Sequence, residues 1–423
     1  MRTEITRSQA RFAVALLFGV NFLNYIDRYV IAAVLPLIQR EFRLDDERAG
    51  YVLSMFVLVY MAASPFTGVM GDRWPRRYLV GAGVMLWSLA TSYHHLLIAR
   101  SFIGVGEAGF GAVSPTIISD LFPKERRGRM LSYFFVAIPV GSALGYILGG
   151  AVGEHYGWRA ACFLAGAPGI VLGLLAFRMA EPARGQGDGV RAEEHRFEWA
   201  SALALLRNRT FVLTALGMSA MTFALGGMAS WMPTFLSRVK GLSLTTANTG
   251  FGALTVGAGL LGTFLGGWLG DRLLKRTGAA YLLVSGAGML LAIPFAYVGF
   301  TATRPEVYFP AFFVAEVLVF LNTGPANAVF VNVALPEVRA TGIAMSIFVY
   351  HLLGDVPSPI LIGKASEWTG SLQTALLLTL VAMLVSGAFY LAGMSTLGRD
   401  TARVQETVAA REARHASDPD RRD

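Results

Sequence analysis

Apolar residues gather in runs of the length that crosses a hydrocarbon core, about 20 residues at a helical rise of about 1.5 Å each. They fall near 12–38, 49–70, 78–95, 97–119, 130–153 and 159–177, then near 210–236, 247–269, 279–300, 307–333, 341–363 and 372–397. Lipid offers no partner for backbone groups, so such runs must close their hydrogen bonds internally. The pattern predicts an all-α membrane protein with twelve transmembrane helices in two pseudo-symmetric six-helix bundles. The first run begins at Phe12 and is long enough to span, so it reads as a first helix and not as a removable signal.

Residues 1–180 form the predicted N-terminal bundle and 210–397 the C-terminal one. The polar stretch 181–209 between them carries Gly185-Gln186-Gly187-Asp188-Gly189 and reads as a cytoplasmic linker. Trp199, Leu203 and Leu206 share helical spacing there, as a short helix lying on the membrane surface would require. The charged segment 398–423 is expected to be a disordered cytoplasmic tail.

Composition agrees with a lipid solvent, at 54% hydrophobic and 15% charged residues. A net charge of +8 invites a nucleic-acid partner, but the cations sit in short clusters between apolar runs, so none is expected. Assigned loop by loop, 26 Lys and Arg fall on the side of both termini and eight on the other, leaving Arg28 and Arg100 within spans. Both termini are therefore expected to be cytoplasmic, in a multi-pass protein of the inner (plasma) membrane. Cys162 stands alone, which rules out an intrachain disulfide and a cysteine metal site. The six histidines are scattered, and no phosphate-cradling glycine loop or nucleophile with a spaced base is present. An enzyme is not expected, nor a cofactor, nor nucleotide-driven pumping.

An internal repeat concerns particular residues. Gly68-x-x-Gly71-Asp72-Arg73-x-x-Arg76-Arg77 recurs as Gly267-x-x-Gly270-Asp271-Arg272-x-x-Lys275-Arg276, at a constant offset of 199. Each copy follows the second span of its half. The loop resembles the signature of the major facilitator superfamily, and parallel repeats suit a rocking transporter. In that reading Gly68 allows close helix contact, and Asp72 caps the cytoplasmic N-terminus of the eleventh span, where the helix dipole favours an anion. Arg73, Arg76 and Arg77 would anchor to lipid phosphates and pair with acids. With Gly267, Asp271 and Arg272 they would form a latch made in one conformation and broken in the other.

A narrower resemblance rests on Asn24-Tyr25-Ile26-Asp27-Arg28, Gly104-Val105-Gly106-Glu107-Ala108 and Ser114-Pro115-Thr116-Ile117-Ile118. Ala137-Ile138-Pro139-x-Gly141-Ser142 and His351-Leu352-Leu353-Gly354-Asp355-x-x-Ser358-Pro359 complete it. Together these resemble the Spinster branch, whose members move lysophospholipids and sphingosine phosphate, and of which this chain would be a bacterial homologue. Gly109-Phe110-Gly111 departs from the hydroxyl-richer animal members.

Charges inside a membrane cost several kcal/mol unless paired or hydrated, and so they are functional candidates. This chain has Asp27, Arg28, Arg100, Glu107, Glu316 and Asp355 within spans. At about 1.5 Å per residue, Asp27 and Glu107 both lie roughly 15–16 Å deep. First and fourth spans line the cavity in the resembled fold, which predicts a central site of two acids and two arginines. Adjacent residues on a helix do not face each other, so Asp27 and Arg28 should pair with other helices. Burial favours the neutral carboxyl and a nearby arginine the charged one. The expected roles are Asp27 as proton carrier, Glu107 as tuner or relay, and Arg28 and Arg100 on the anionic part of a substrate beside Tyr25 and Phe110. In the second half, His351 and Asp355 lie one turn apart before Pro357 and Pro359, which should break the eleventh span and free carbonyls. Glu316 has no cation nearby in its half, which leaves a protonated carboxyl as one option and assigns it no role.

Glycines at four-residue spacing, Gly141, Gly145 and Gly149 in the fifth span and Gly262, Gly266 and Gly270 in the eighth, allow close backbone approach. In the resembled fold these two helices meet across the halves. The expected protein is a monomeric, proton-coupled secondary transporter whose partners are membrane lipid, protons and a small amphiphile. A multidrug or organic-anion transporter of the same fold is the alternative, and a non-transporting membrane sensor the different class.

Overall fold

A computed structural model describes residues 6–73, 89–122, 124–180, 182, 205–335 and 338–417. It is all-helical there: α1 (Arg7–Phe42), α2 (Asp46–Arg73), α3 (Tyr93–Leu121), α4 (Lys124–Ala176), α5 (Arg209–Arg238), α6 (Leu244–Leu274) and α7 (Ala280–Thr301). After them come α8 (Pro305–Phe320), α9 (Thr323–Asn332), α10 (Arg339–Tyr350), α11 (Pro357–Thr369), α12 (Leu372–Leu376) and α13 (Leu378–Ser417). Among the described residues, ten stretches are long and apolar enough to cross a membrane. One of them, 48 residues from Arg129 to Ala176, is long enough for two passes. It folds at Gly157, whose φ of 82° breaks the helix and is a conformation glycine adopts without a Cβ clash. The expected third span, 78–95, lies mostly outside the described residues, as do Arg76, Arg77 and the linker stretch expected to lie on the membrane surface.

Local chemistry sets the helix ends. Thr6 and Gln9 form a reciprocal capping box at the start of α1, the Gln9 N–H donating to Thr6 Oγ1 at 3.2 Å and the Thr6 N–H to Gln9 Oε1 at 2.9 Å. Its end turns through Arg43 at φ 51°, after which the Leu44 N–H closes on the Gln39 carbonyl at 3.0 Å.

The helices divide into two contact units. The first contains Met1–His195, Gly227–Val256 and Val356–Leu376, and the second Arg196–Gly226, Gly257–Asp355 and Leu377–Asp423. In the first unit α1 packs along α4, and α2 packs on α3 and α11. A Cβ on Gly141 would lie 2.7 Å from the Phe22 carbonyl, and one on Gly145 2.7 Å from that of Ile26, so only glycine admits α1 this close. This corrects the expectation for the four-spaced rows. Gly141, Gly145 and Gly149 face α1, while Gly262 and Gly266 face Val317 and Leu321 of α8 in the second unit. The fifth and eighth spans do meet, at Gly150 against Asn248 and Gly252 against Tyr146, positions outside those rows.

The second unit packs α7 against α8, α9 and α13. Helix α13 runs past Leu397 to Ser417, where the sequence suggested a disordered tail from 398. Asp400 explains the first turn of that extension. Buried to 4% exposure, it accepts from the Thr210 N–H at 3.0 Å and from the Thr210 hydroxyl at 2.8 Å, anchoring the continued helix to α5.

Candidate functional site

Consecutive residues on α1 point about 100° apart, and the neighbours on α3 exploit it. Asp27 turns to Arg100, with Nη1 3.8 Å from Oδ2. Arg28 turns to Glu107, its Nε donating to Oε2 at 2.8 Å and its Nη2 lying 2.8 Å from the same oxygen in an ion pair. Arg100 and Glu107 stand two turns apart on one face of α3, so two helices carry two crossed ion pairs. All three of Asp27, Arg100 and Glu107 are buried, Arg100 and Glu107 to 2% exposure. The Arg28 side chain keeps 26% of its surface and is the accessible member.

Aromatic faces complete the arrangement. The Arg28 guanidinium lies 4.9 Å from the Tyr25 ring, 4.8 Å from Phe56 and 5.1 Å from Tyr60, a three-sided box in which ring quadrupoles replace water. Phe56 also lies 5.1 Å from the Arg100 guanidinium, so one ring serves both cations. Phe56 and Tyr60 come from one face of α2, and Gly104 and Gly111 of α3 admit that helix. A Cβ on Gly104 would meet the Phe56 carbonyl at 2.8 Å, and one on Gly111 the Tyr60 hydroxyl at 2.6 Å. Phe56 escaped the sequence reading because a phenylalanine in an apolar span carries no signal of its own, although its i, i+4 spacing to Tyr60 is consistent with a shared face.

Other expected residues lie elsewhere. Phe110 is buried in an apolar cluster with Leu17, Val20 and Ile117, its ring 6.0 Å from that of Phe134, and packs instead of joining the charges. Glu316, His351 and Asp355 belong to the second unit. Glu316 is fully buried on α8, and His351 Nδ1 bonds Asp355 Oδ2 across a single π turn, His351–Asp355. That turn and Pro357 break the eleventh span, and side chains of α5 donate to two of its carbonyls. Thr222 donates to Tyr350 at 2.8 Å, and in the first unit Trp231 donates to Pro359 at 3.0 Å. Of the repeated motif, Gly68, Asp72 and Arg73 end α2, with their side chains outside the described ones. Asp271 accepts from the Tyr281 hydroxyl at 2.8 Å, Arg272 lies 5.4 Å from the Trp268 ring, and Gly267 borders open space. No group of three His, Cys, Asp or Glu among the described residues has the geometry for a metal.

A second ionic site in the first unit had no sequence signal beyond an acid opening one span and a cation closing another. Asp46, 5% exposed, receives Arg238 through two bonds of 2.8 and 2.6 Å, the Ser366 hydroxyl at 2.6 Å and the Gln39 amide at 2.8 Å. The Asp46 N–H donates to Glu367 Oε1 at 2.8 Å. One carboxylate thereby ties together the ends of α1, α2, α5 and α11.

Spanning helices with charges buried between them are the architecture of a membrane carrier, and the family to which the chain belongs is one of transporters, not enzymes. The chain belongs to the Major Facilitator Superfamily, whose family model matches residues 17–356. Within it, relatives of the chain include Spinster proteins. The chain is 37% identical over 390 residues to protein spinster homolog 3 of Danio rerio, covering 86% of this chain and 78% of that one. It is 35% identical over 432 residues to the sphingosine-1-phosphate transporter SPNS2 of Mus musculus, covering 93% and 79%. Its fold is similar, at a TM-score of 0.85 and 24% identity, to a bacterial homologue of the human lysosomal transporter Spinster in an inward-facing and unoccupied conformation, over 94% of this chain and 99% of that one.

Proposed function

We propose that this protein is a proton-coupled secondary transporter that moves a lysophospholipid- or sphingosine-phosphate-like amphiphile by alternating access. The observation that carries the reading is the Arg28 guanidinium, partly exposed inside three aromatic rings and held by Glu107. A cation boxed by apolar rings suits a ligand with an anionic head and an apolar body. A phosphate reaching Arg28 competes with Glu107, which then has to be neutralised, and the crossed pairs connect that event to Asp27. At 3.8 Å the Asp27–Arg100 contact is longer than the 2.8 Å Arg28–Glu107 bonds. Coulomb attraction falls with separation, so the Asp27–Arg100 contact is the weaker of the two ion pairs, and Asp27 is assigned as carrier, with Glu107 as relay. Arg100, buried behind Phe56, acts on the substrate through Asp27.

The Asp46 cluster supplies the closed end that alternating access requires, and the Gly68 to Arg77 motif with its second copy supplies the latch at the opposite end. The protein works as a monomer of two six-helix bundles, with both termini and the 181–209 linker in the cytoplasm of an inner-membrane topology, as the cation asymmetry supports.

Purified protein in liposomes under an imposed proton gradient tests this against a panel of lysophospholipids and a panel of cationic dyes. Gradient-dependent uptake of lysophospholipid, without dye uptake, is expected. Dye transport alone, or lysophospholipid flux indifferent to the gradient, would overturn the substrate or the coupling respectively.

A further inference from the structure

Helices α1 and α4 are zipped only along part of their length. Gly141 and Gly145 bring the backbones together at Phe22 and Ile26, whereas towards the N-terminal ends α4 carries Phe134 and Met130, which pack against Leu16, Leu17 and Val20 of α1. Beside that contact lies a cleft of about 650 Å³, with Phe18 and Met130 among its walls. Around it stand Arg11, Arg126 and Arg129, all exposed. Arg129 donates from Nε to the Tyr133 hydroxyl at 2.9 Å, which steadies its guanidinium across the ring. Arg11 lies close to the start of one membrane-spanning stretch, Ser8–Phe42, and Arg129 opens another, Arg129–Ala176, so the cations share one membrane boundary. Exposed apolar side chains, Phe12 at 40% and Tyr133 at 46%, lie beside that boundary.

Three arginines at headgroup level above an apolar slot match an anion that carries a hydrocarbon chain, and a soluble anion leaves the slot unfilled. We propose that this cleft is a binding site for an anionic phospholipid of the leaflet at that face. Its phosphate is held by Arg11, Arg126 and Arg129, and the upper part of one acyl chain lies against Phe18 and Met130. The site is separate from the Asp27, Arg28, Arg100 and Glu107 cluster and involves no transport step. Occupancy would brace α1 against α4 where glycine zipping ends.

The full-length protein in detergent, titrated with phosphatidylglycerol and phosphatidylcholine of the same chains and followed by native mass spectrometry and thermal unfolding, tests this directly. Phosphatidylglycerol should be retained and raise the melting temperature, with phosphatidylcholine and inorganic phosphate well behind. Each basic residue near a membrane surface contributes about 1 kcal/mol to anionic-lipid attraction, so Arg126→Gln with Arg129→Gln should weaken phosphatidylglycerol retention roughly thirtyfold. The paired Arg→Lys variant should keep most of it. Equal binding of both lipids to the wild-type protein overturns the proposal without any variant. So does unchanged phosphatidylglycerol retention in the double glutamine variant, or displacement of the lipid by inorganic phosphate at equal concentration, which would mark a soluble-anion site.

Discussion

Asp46 and Arg238, 192 residues apart in sequence, meet in a two-point ion pair, Nη1 on Oδ1 at 2.8 Å and Nη2 on Oδ2 at 2.6 Å. The acid is buried and the arginine 43% exposed, so the pair sits at the edge of solvent. Asp46→Asn keeps the shape, loses the charge-assisted bonds and costs about 1–3 kcal/mol, towards the lower end because of that exposure. If the cluster is the closed gate, spin labels at Arg48 and Lys240 should show a second, longer distance in Asp46→Asn. A single unshifted distance would leave the cluster with a static role.

The proton assignment separates Asp27 from Glu107. Asp27→Asn should abolish uptake against a gradient while ligand binding persists, and the melting temperature should fall because the buried Arg100 loses that carboxylate. Glu107→Gln leaves the Arg28 guanidinium without its carboxylate, and the cost should stay below the 3–5 kcal/mol of a fully buried orphan because Arg28 is 26% exposed. Stability, binding and proton-driven uptake measured on the same two preparations decide it. Retained accumulation in Asp27→Asn with loss in Glu107→Gln moves the role to Glu107, and retention in both removes the proton site.

Phe56 lies against both Arg28 and Arg100 and is 3% exposed. Phe56→Ala should destabilise by about 3–5 kcal/mol through the cavity alone, with cation–π losses of about 0.5–2 kcal/mol per arginine besides. Phe56→Leu restores most of the volume without a π face, so calorimetry of the two variants bounds the cation–π share. Equal stability of Phe56→Leu and wild type would mean the ring only fills space.

The latch proposal predicts that Asp72→Asn leaves the protein folded and enlarges the open fraction at the cytoplasmic ends. Distance measurements across those ends check it, and an unchanged distribution would leave the motif a topological role.

Topology is open to a labelling test, since Cys162 is buried and 1% exposed, leaving little background. Gly187→Cys and His94→Cys should label from opposite sides of the membrane. Labelling of both from outside would reverse the proposed orientation.

The fold class was legible because lipid enforces it. Spans have to be apolar, helical and about 20 residues long, and those requirements are written locally. The four central charges were legible for the same reason, as ionised groups in hydrocarbon stand out from their surroundings. Phe110 was misread as a lining residue because sequence gives its helix face only relative to Glu107, and packing turned it into the apolar cluster with Phe134.

By itself the sequence determined an all-α membrane protein, the presence of Asp27, Arg28, Arg100 and Glu107 within apolar spans, and the separation of Asp27 and Arg28 onto different faces. Helical pitch and the cost of charge in lipid suffice for those. Only tertiary structure decided which acid meets which arginine, that Phe56 serves both cations, that the glycines of α4 face α1, and that Asp46 gathers Arg238 and Ser366. These depend on contacts between residues tens to hundreds of positions apart, and the register of one helix against another is set by side chains on both at once.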